Sequence, residues 1–146
     1  MSLPTDIADA VAAELNAAPE GTFAQAFTAV RAYVPANDVR DLKDLRVLVV
    51  PRSREDAVET RRLARVDVAV DVGVQRRVDP ADNAAVDALS DLAEQVLRYL
   101  RGRRLAAQEA ARWVGAANEP IFYPDHLLEQ RVFTSVVRVT YRVMEE

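Results

Sequence analysis

Between residues 65 and 75 the chain alternates without a break: Val66, Val68, Val70, Val72 and Val74 are separated by Asp67, Ala69, Asp71 and Gly73, with Arg65 and Gln75 at the two ends. Successive side chains of a strand point to opposite faces, so one face of this segment is wholly apolar and the other mostly polar. Such a strand covers a core on one side and meets water or a partner on the other. It specifies a surface rather than a chemistry, and the remaining sequence is read for what covers each face.

The flanking segments supply the cover. Ile7, Val11 and Leu15 recur at helical spacing after Thr5, read as the N-cap, and Pro19-Glu20-Gly21 ends this first helix. Residues 23–34 turn aromatic and β-branched, with Phe27 and Tyr33 on one side and Val30 and Val34 on the other, and predict a first strand broken by Pro35-Ala36-Asn37-Asp38. Residues 45–50 are apolar apart from Arg46 and predict a strand buried on both faces or bordered by a neighbouring subunit, stopped by Pro51.

Asp79-Pro80-Ala81-Asp82 offers an N-cap, a proline at the first helical position and an acid in the first turn. The helix it predicts carries Val86, Leu89, Ala93, Val96 and Leu100 as its apolar stripe, widened by Leu92 and Leu97. A short strand containing Trp113 is expected over residues 111–116, then a turn at Asn118-Glu119-Pro120. Tyr123 to Leu128 reads as a loop leading into a single turn. A second amphipathic strand is expected over residues 131–143, with Phe133, Val137, Val139, Tyr141 and Val143 on one face and Thr134, Arg138, Thr140 and Arg142 on the other. The order predicts an α+β fold, a mainly antiparallel sheet with two helices packed on one face. At 146 residues and 50% hydrophobic composition, the chain is expected to form a single domain over residues 1–146.

Net charge is -4, so the whole molecule lacks the basic bias of a general nucleic-acid or anionic-membrane binder. Lys43 is the only lysine, and the arginine, alanine and valine usage reads as a coding bias toward GC rather than selection for bidentate anion recognition. With no cysteine, disulfides and thiolate chemistry are excluded. Met1 to Asp6 lacks the basic flank and apolar core of a secretory signal, and no run approaches the ~20 apolar residues that span a bilayer. The expectation is a soluble chain that stays where it is made.

Searching for chemistry, we find no glycine-rich phosphate loop, no nucleophile elbow and no histidine pair for a metal. Asp67 and Asp71 point the same way but lie about 13 Å apart by strand rise, too far to share a proton or one metal ion, and read as a solvated polar face. His126, the only histidine, reads as a loop or packing residue, the alternative being a base beside Asp125. Trp113, Phe122 and Tyr123 read as core or interface aromatics, the alternative being ligand stacking. Arg98, Arg101, Arg103 and Arg104 crowd the end of the long helix; dipole complementation and solvation compete there with phosphate binding. No catalytic residue, cofactor or metal ligand is expected. Residues 52–62, with Arg52, Arg54, Glu55, Asp56, Glu59, Arg61 and Arg62, read as a charged hairpin tip, either a contact loop or a solubilising turn.

The arrangement resembles a known family. The N-terminal helix, the strand from Asp67 to Arg77 and the helix from Asp87 to Leu100 look like small neck and tail-completion proteins of bacteriophages and prophages. Asn118-Glu119-Pro120-Ile121-Phe122-Tyr123-Pro124-Asp125-His126-Leu127, followed by Phe133-Thr134-Ser135-Val136-Val137-Arg138-Val139-Thr140-Tyr141-Arg142, is similar to the closing segment of tail terminators of long-tailed phages. The resemblance implies a virion structural protein, not an enzyme, forming a homo-oligomeric ring, commonly a hexamer, that caps the tail tube and mediates head–tail joining. It implies the tail-tube protein and a head–tail connector protein as partners, with no membrane and no specific nucleic acid, and a place in the virion neck after a time in the bacterial cytoplasm. The expected contact residues are Arg54, Glu55, Asp56, Glu59, Arg61, Arg62, Arg65, Asp67 and Asp71. Two alternatives stay open: another head–tail connector or neck component, and a small nucleic-acid-binding module using the arginines from Arg98 to Arg104.

Overall fold

A computed structural model describes residues 2–33 and 44–146. The described chain is an α+β fold whose elements are α1 (Leu3–Asn16), β1 (Ala29–Arg31), β2 (Arg46–Val58), β3 (Ala64–Arg77), α2 (Asn83–Leu100), β4 (Arg112–Asn118), α3 (Pro124–Gln130) and β5 (Val132–Glu145). The strands form one five-stranded sheet in the order β1-β2-β3-β5-β4. Three of its pairings are antiparallel and β1 runs parallel to β2, so the sheet is mixed rather than uniformly antiparallel.

The valine strand is the centre of the sheet. All five valines are 0% exposed, and β3 is hydrogen-bonded along its length to β2 on one side and β5 on the other. Val70, Val72 and Val66 stand opposite Val139, Val137 and Val143 of β5, while Val72 and Val74 stand opposite Val49 and Val47 of β2. The inner face so formed is closed by α1 and α2. Ile7, Val11 and Leu15 of α1 and Leu92, Ala93, Val96 and Leu100 of α2 join the valines in one core. The helices are tied together where the Tyr99 hydroxyl donates to the Glu14 carbonyl at 3.2 Å.

Several boundaries differ from the sequence expectation, each for a local reason. α1 begins three residues earlier, with Ser2 rather than Thr5 as its N-cap; the Ser2 side chain accepts from the Thr5 N–H, and a proline occupies the first turn. Of the strand expected over residues 23–34, only Ala29–Arg31 pairs among the described residues, and Val34 lies outside them. The segment before it sends its backbone elsewhere: the Ala24 N–H donates to Gln95 Oε1 of α2 at 3.0 Å. Phe23 and Phe27 pack on each other, and Phe23 on Tyr99, with ring centroids 4.9 and 5.4 Å apart. Their aromatic character serves a loop that plugs the base of α2. The break expected at residues 35–38 lies outside the described residues.

Pro51 does not stop β2. The strand runs on to Val58 through a bulge between Pro51 and Ser53, which is where a residue without an N–H fits a ladder at least cost. In residues 45–50, Val47 and Val49 are buried while Leu48 and Val50 are only partly so, so the run is not enclosed on both faces. Residues 79–82 form a turn, closed by the Asp82 N–H on the Asp79 carbonyl at 3.0 Å. α2 therefore starts at Asn83, with Asp82 as the cap accepting from the Ala85 N–H at 3.1 Å. The loop before β5 becomes a third helix, the seven-residue α3, beyond the two expected. No helix among the described residues is long and apolar enough to cross a membrane.

The position of the cap is testable. Asp82→Ala is expected to cost about 0.5–2 kcal/mol in chemical denaturation through the loss of a helix N-cap, and Asp79→Ala distinctly less; the reverse order would place the helix start at Asp79.

Candidate functional site

The alternation that buries the valines lines up the opposite face of the sheet. Asp67 stands directly opposite Arg142 of β5, and Asp71 directly opposite Arg138. Arg142 grips Asp67 with two parallel bonds, Nε to Oδ1 at 2.8 Å and Nη2 to Oδ2 at 3.1 Å, the fork geometry in which an arginine–carboxylate pair is strongest. Arg138 Nε donates to Asp71 Oδ1 at 3.0 Å, and Arg52 reaches the other oxygen at 3.2 Å from the β2 side. Arg65 lies 3.7 Å from Glu59. Across this outer face the charges pair between strands, and Thr140 and Ala69 lie between them in register. The Arg142 hydrogen bond holds the Asp67 carboxyl below its usual range.

Residues expected in one hairpin tip are distributed over three places. The tip itself is shorter, covering residues 59–63, where the Glu59 and Thr60 N–H groups both donate to the Leu63 carbonyl. Arg61 and Arg62 project from it, exposed and without an ion-pair partner among the described residues. Residues 52–58 belong to the β2 arm. Arg54 and Asp56 lie opposite Val68 and Val66, hence on the inner face. There Arg54 bonds Asp56 at 2.9 and 3.0 Å and Glu145 at 3.0 Å. Glu55 lies opposite Asp67 on the outer face. Asp56 is held below the usual carboxylate range by the Arg54 hydrogen bonds.

Two signals went unread in the sequence. Asp67 and Asp71 are four apart on one strand, and Arg138 and Arg142 are four apart on the other; antiparallel pairing of the two segments matches them acid to base. Arg52 and Glu145 complete the pairs from outside those segments, and no local pattern marks them.

The outer face is uncovered for most of its length and capped at one end. Gln75 and Thr134, in direct register, are both buried. Gln75 Nε2 lies 3.4 Å from Thr134 Oγ1, and His126 Nδ1 of α3 lies 3.1 Å from the same oxygen. The His126 ring stacks on Tyr123 with centroids 4.7 Å apart. His126 thus fastens α3 over the end of the sheet away from the hairpin. Among the described residues no group of three or more His, Asp or Glu side chains is placed to hold a metal ion.

The hairpin end offers the other distinctive surface. Among the described residues β1 pairs with β2 only at Val47, Leu48 and Val49, and no described strand pairs with the outward edge of β2 from residue 51 to 58. Val58 is 88% exposed at its end. A shallow cavity of about 340 Å³ lies against the tip, lined by Val58, Arg61, Arg62, Leu63 and Glu146 among others. On the far side of the sheet β4 is the second edge that no described strand covers. No protein-family model matches the chain, and no curated protein matches it.

The Asp67–Arg142 pair predicts an acid dependence with a definite sign. Asp67 has a depressed folded-state pKa, so its contribution is present above the unfolded value of about 3.9 and is lost as pH falls through the folded value. Asp67→Asn is expected to be slightly less stable than the parent at pH 7, with the difference shrinking as pH drops below about 4. Urea midpoints measured from pH 7 to pH 2.5 check this; a constant gap across that range would mean the carboxylate's charge is not what matters.

Proposed function

We propose that this chain is a phage or prophage virion structural protein that closes the end of the tail tube as a homo-oligomeric ring and mediates head–tail joining. The observation that carries the reading is a pair of strand edges on opposite sides of one sheet, the distal half of β2 and the whole of β4, that no strand among the described residues covers. An edge presents unpaired N–H and C=O groups and invites another chain. Two different edges on opposite sides make a heterologous contact, which generates a ring when the rotation closes.

The rest of the surface is compatible with that role. On the outer face Asp67 and Asp71 are already paired within the chain with Arg142, Arg138 and Arg52, so these carboxylates can lie against another protein without being left alone. The exposed Arg61 and Arg62 at the tip are suited to steer and register a partner, which is what rim charges do best. Tail-tube protein and a connector are the partners in this reading, and the bacterial cytoplasm and then the virion neck are its location. A head–tail connector would use the same edges, and the two roles separate by partner: tube ends for a terminator, the portal side for a connector.

The experiment is electron microscopy of tail tubes assembled with and without the protein, together with light scattering of the protein alone and with purified tube protein. A terminator is expected to give tubes of bounded length with a ring at one end. The Arg61→Glu/Arg62→Glu variant is expected to keep its circular dichroism spectrum and melting temperature while losing tube-end binding at least tenfold. A strict monomer with no effect on tube length would overturn the reading.

A further inference from the structure

One row of the outer face carries its charges in an order that a single chain does not complete. Glu55 of β2 stands opposite Asp67 of β3, Asp67 opposite Arg142 of β5, and Arg142 opposite Arg112 of β4. From one edge of the sheet to the other the row runs acid, acid, base, base. The central two hold each other, Arg142 gripping Asp67 at 2.8 and 3.1 Å. The outer two are left over, each beside a residue of its own sign. Like charges directly opposite on neighbouring strands destabilise a sheet, so the row holds an unfavourable pair at each end, Glu55 with Asp67 and Arg112 with Arg142.

No ion pair among the described residues relieves either end. The cations around Glu55 are engaged elsewhere: Arg54 with Asp56 and Glu145 on the inner face, Arg52 with Asp71, and Arg65 with Glu59 at 3.7 Å. Arg112 is exposed, and no carboxylate among the described residues pairs with it. Both residues sit on strand edges that no described strand covers, Glu55 on the distal half of β2 and Arg112 on β4.

The chain directions suit a contact between these two edges. β2, β3, β5 and β4 alternate in direction, because each neighbouring pair is antiparallel. β4 therefore runs against β2. A second copy set beside the first in the same orientation brings its β2 antiparallel to the first copy's β4, and the sheet continues from one molecule into the next. In that continuation the charged row of one copy runs into the row of the next, and Arg112 arrives beside Glu55. Each end of the row then meets the opposite charge that its own chain denies it.

We propose that the β4 edge of one copy of this chain pairs antiparallel with the distal β2 edge of a second copy, with Arg112 against Glu55 of that copy setting the register. Main-chain hydrogen bonds hold the contact, as in other strand additions, and the charge pair chooses which edges meet. A two-fold pairing of β2 with β2, or of β4 with β4, about this row would set like charges together, so the row selects against it. The contact is heterologous and leaves every copy one edge of each kind for the next. This inference rests on the reading of the two edges as the self-contact of a ring, and adds which edge meets which, in what direction and in what register.

Exchanging the charges tests it. Glu55→Arg and Arg112→Glu are each expected to weaken self-association of the full chain by about tenfold in sedimentation equilibrium, because each sets like charges against each other across the contact. Within the chain each substitution instead removes a like-charge pair. The circular dichroism spectrum is therefore expected to be unchanged, and the urea midpoint, taken at a dilution where the parent is also monomeric, to equal or exceed the parent's. An equimolar mixture of the two variants is expected to associate again, since each then offers the other an opposite charge. Parent association that neither reversal weakens, or a mixture that associates no better than the variants alone, would overturn the contact and leave the ring reading to other surfaces. A parent that stays monomeric both alone and with purified tube protein overturns the contact and the ring together. Association rescued in the mixture without any effect on tube length upholds the contact and removes the terminator.

Discussion

Everything in this fold is referred to the inward column of β3. Val66, Val68, Val70, Val72 and Val74 are fully buried, and burying one valine side chain is favourable by about 1.5–3 kcal/mol. Because the side-chain period is two, slipping β3 by one residue against its neighbours would turn all five outward and drive Asp67 and Asp71 into the core. Two antiparallel neighbours and two helices therefore agree on a single register. Tyr141 shows how far the core tolerates imperfection: its hydroxyl is buried without a partner among the described residues, and burial pushes its ionisation above the ordinary tyrosine range.

The same register decides what the outer face can be. Asp67 and Asp71 meet Arg142 and Arg138 because the inner valines leave them no other position. Ion pairs this exposed contribute little to stability in water. Their effect is on specificity, since a slipped strand would separate each acid from its base. They neutralise the two aspartates, and among the described residues of the hairpin Glu55, Arg61 and Arg62 are left without an ion-pair partner.

The period-two and helical stripes made the α+β class, the central strand, the long helix and the last strand legible in sequence, because one buried face is written into each of those segments. What failed was everything decided by a distant partner. Phe23 and Phe27 have the composition of a strand but spend it on Tyr99. Pro51 looks like a terminator of β2 and is absorbed by a bulge. Asp79 reads as the cap and Asp82 as the acid of the first turn, yet Asp82 is the cap, because that choice depends on where the chain leaves β3. In the candidate contact surface, the position of Asp67 and Asp71 was legible, whereas the separation of Arg54 and Asp56 onto the inner face was not. That separation follows from the extra residue at the Pro51–Ser53 bulge, which reverses the alternation of everything after it.

The lengths of the elements argue that the hairpin exists for something other than the core. β3 has 14 residues and spans about 46 Å at 3.3 Å per residue, while the 18 residues of α2 span about 27 Å. On β3 and β5 the inner face stays buried out to Val66 and Val143, whereas on β2 it is exposed from Arg54 onward. The sequence changes character at that point. β2 switches from Val47 and Val49 to Arg54 and Asp56 on the inner face, and β5 ends on Glu145, so the Arg54–Asp56–Glu145 cluster takes the place that apolar side chains hold further in. A chain selected only for a stable core would shorten the hairpin to the length of its helices. This one carries exposed charge pairs beside the buried Val66, Arg54 with Asp56 and Glu145 on the inner face and Arg142 with Asp67 on the outer. No described strand covers its distal β2 edge, and Val58 is bare. Along β2 the hairpin gives up burial to gain reach, which is what the proposed ring contact requires.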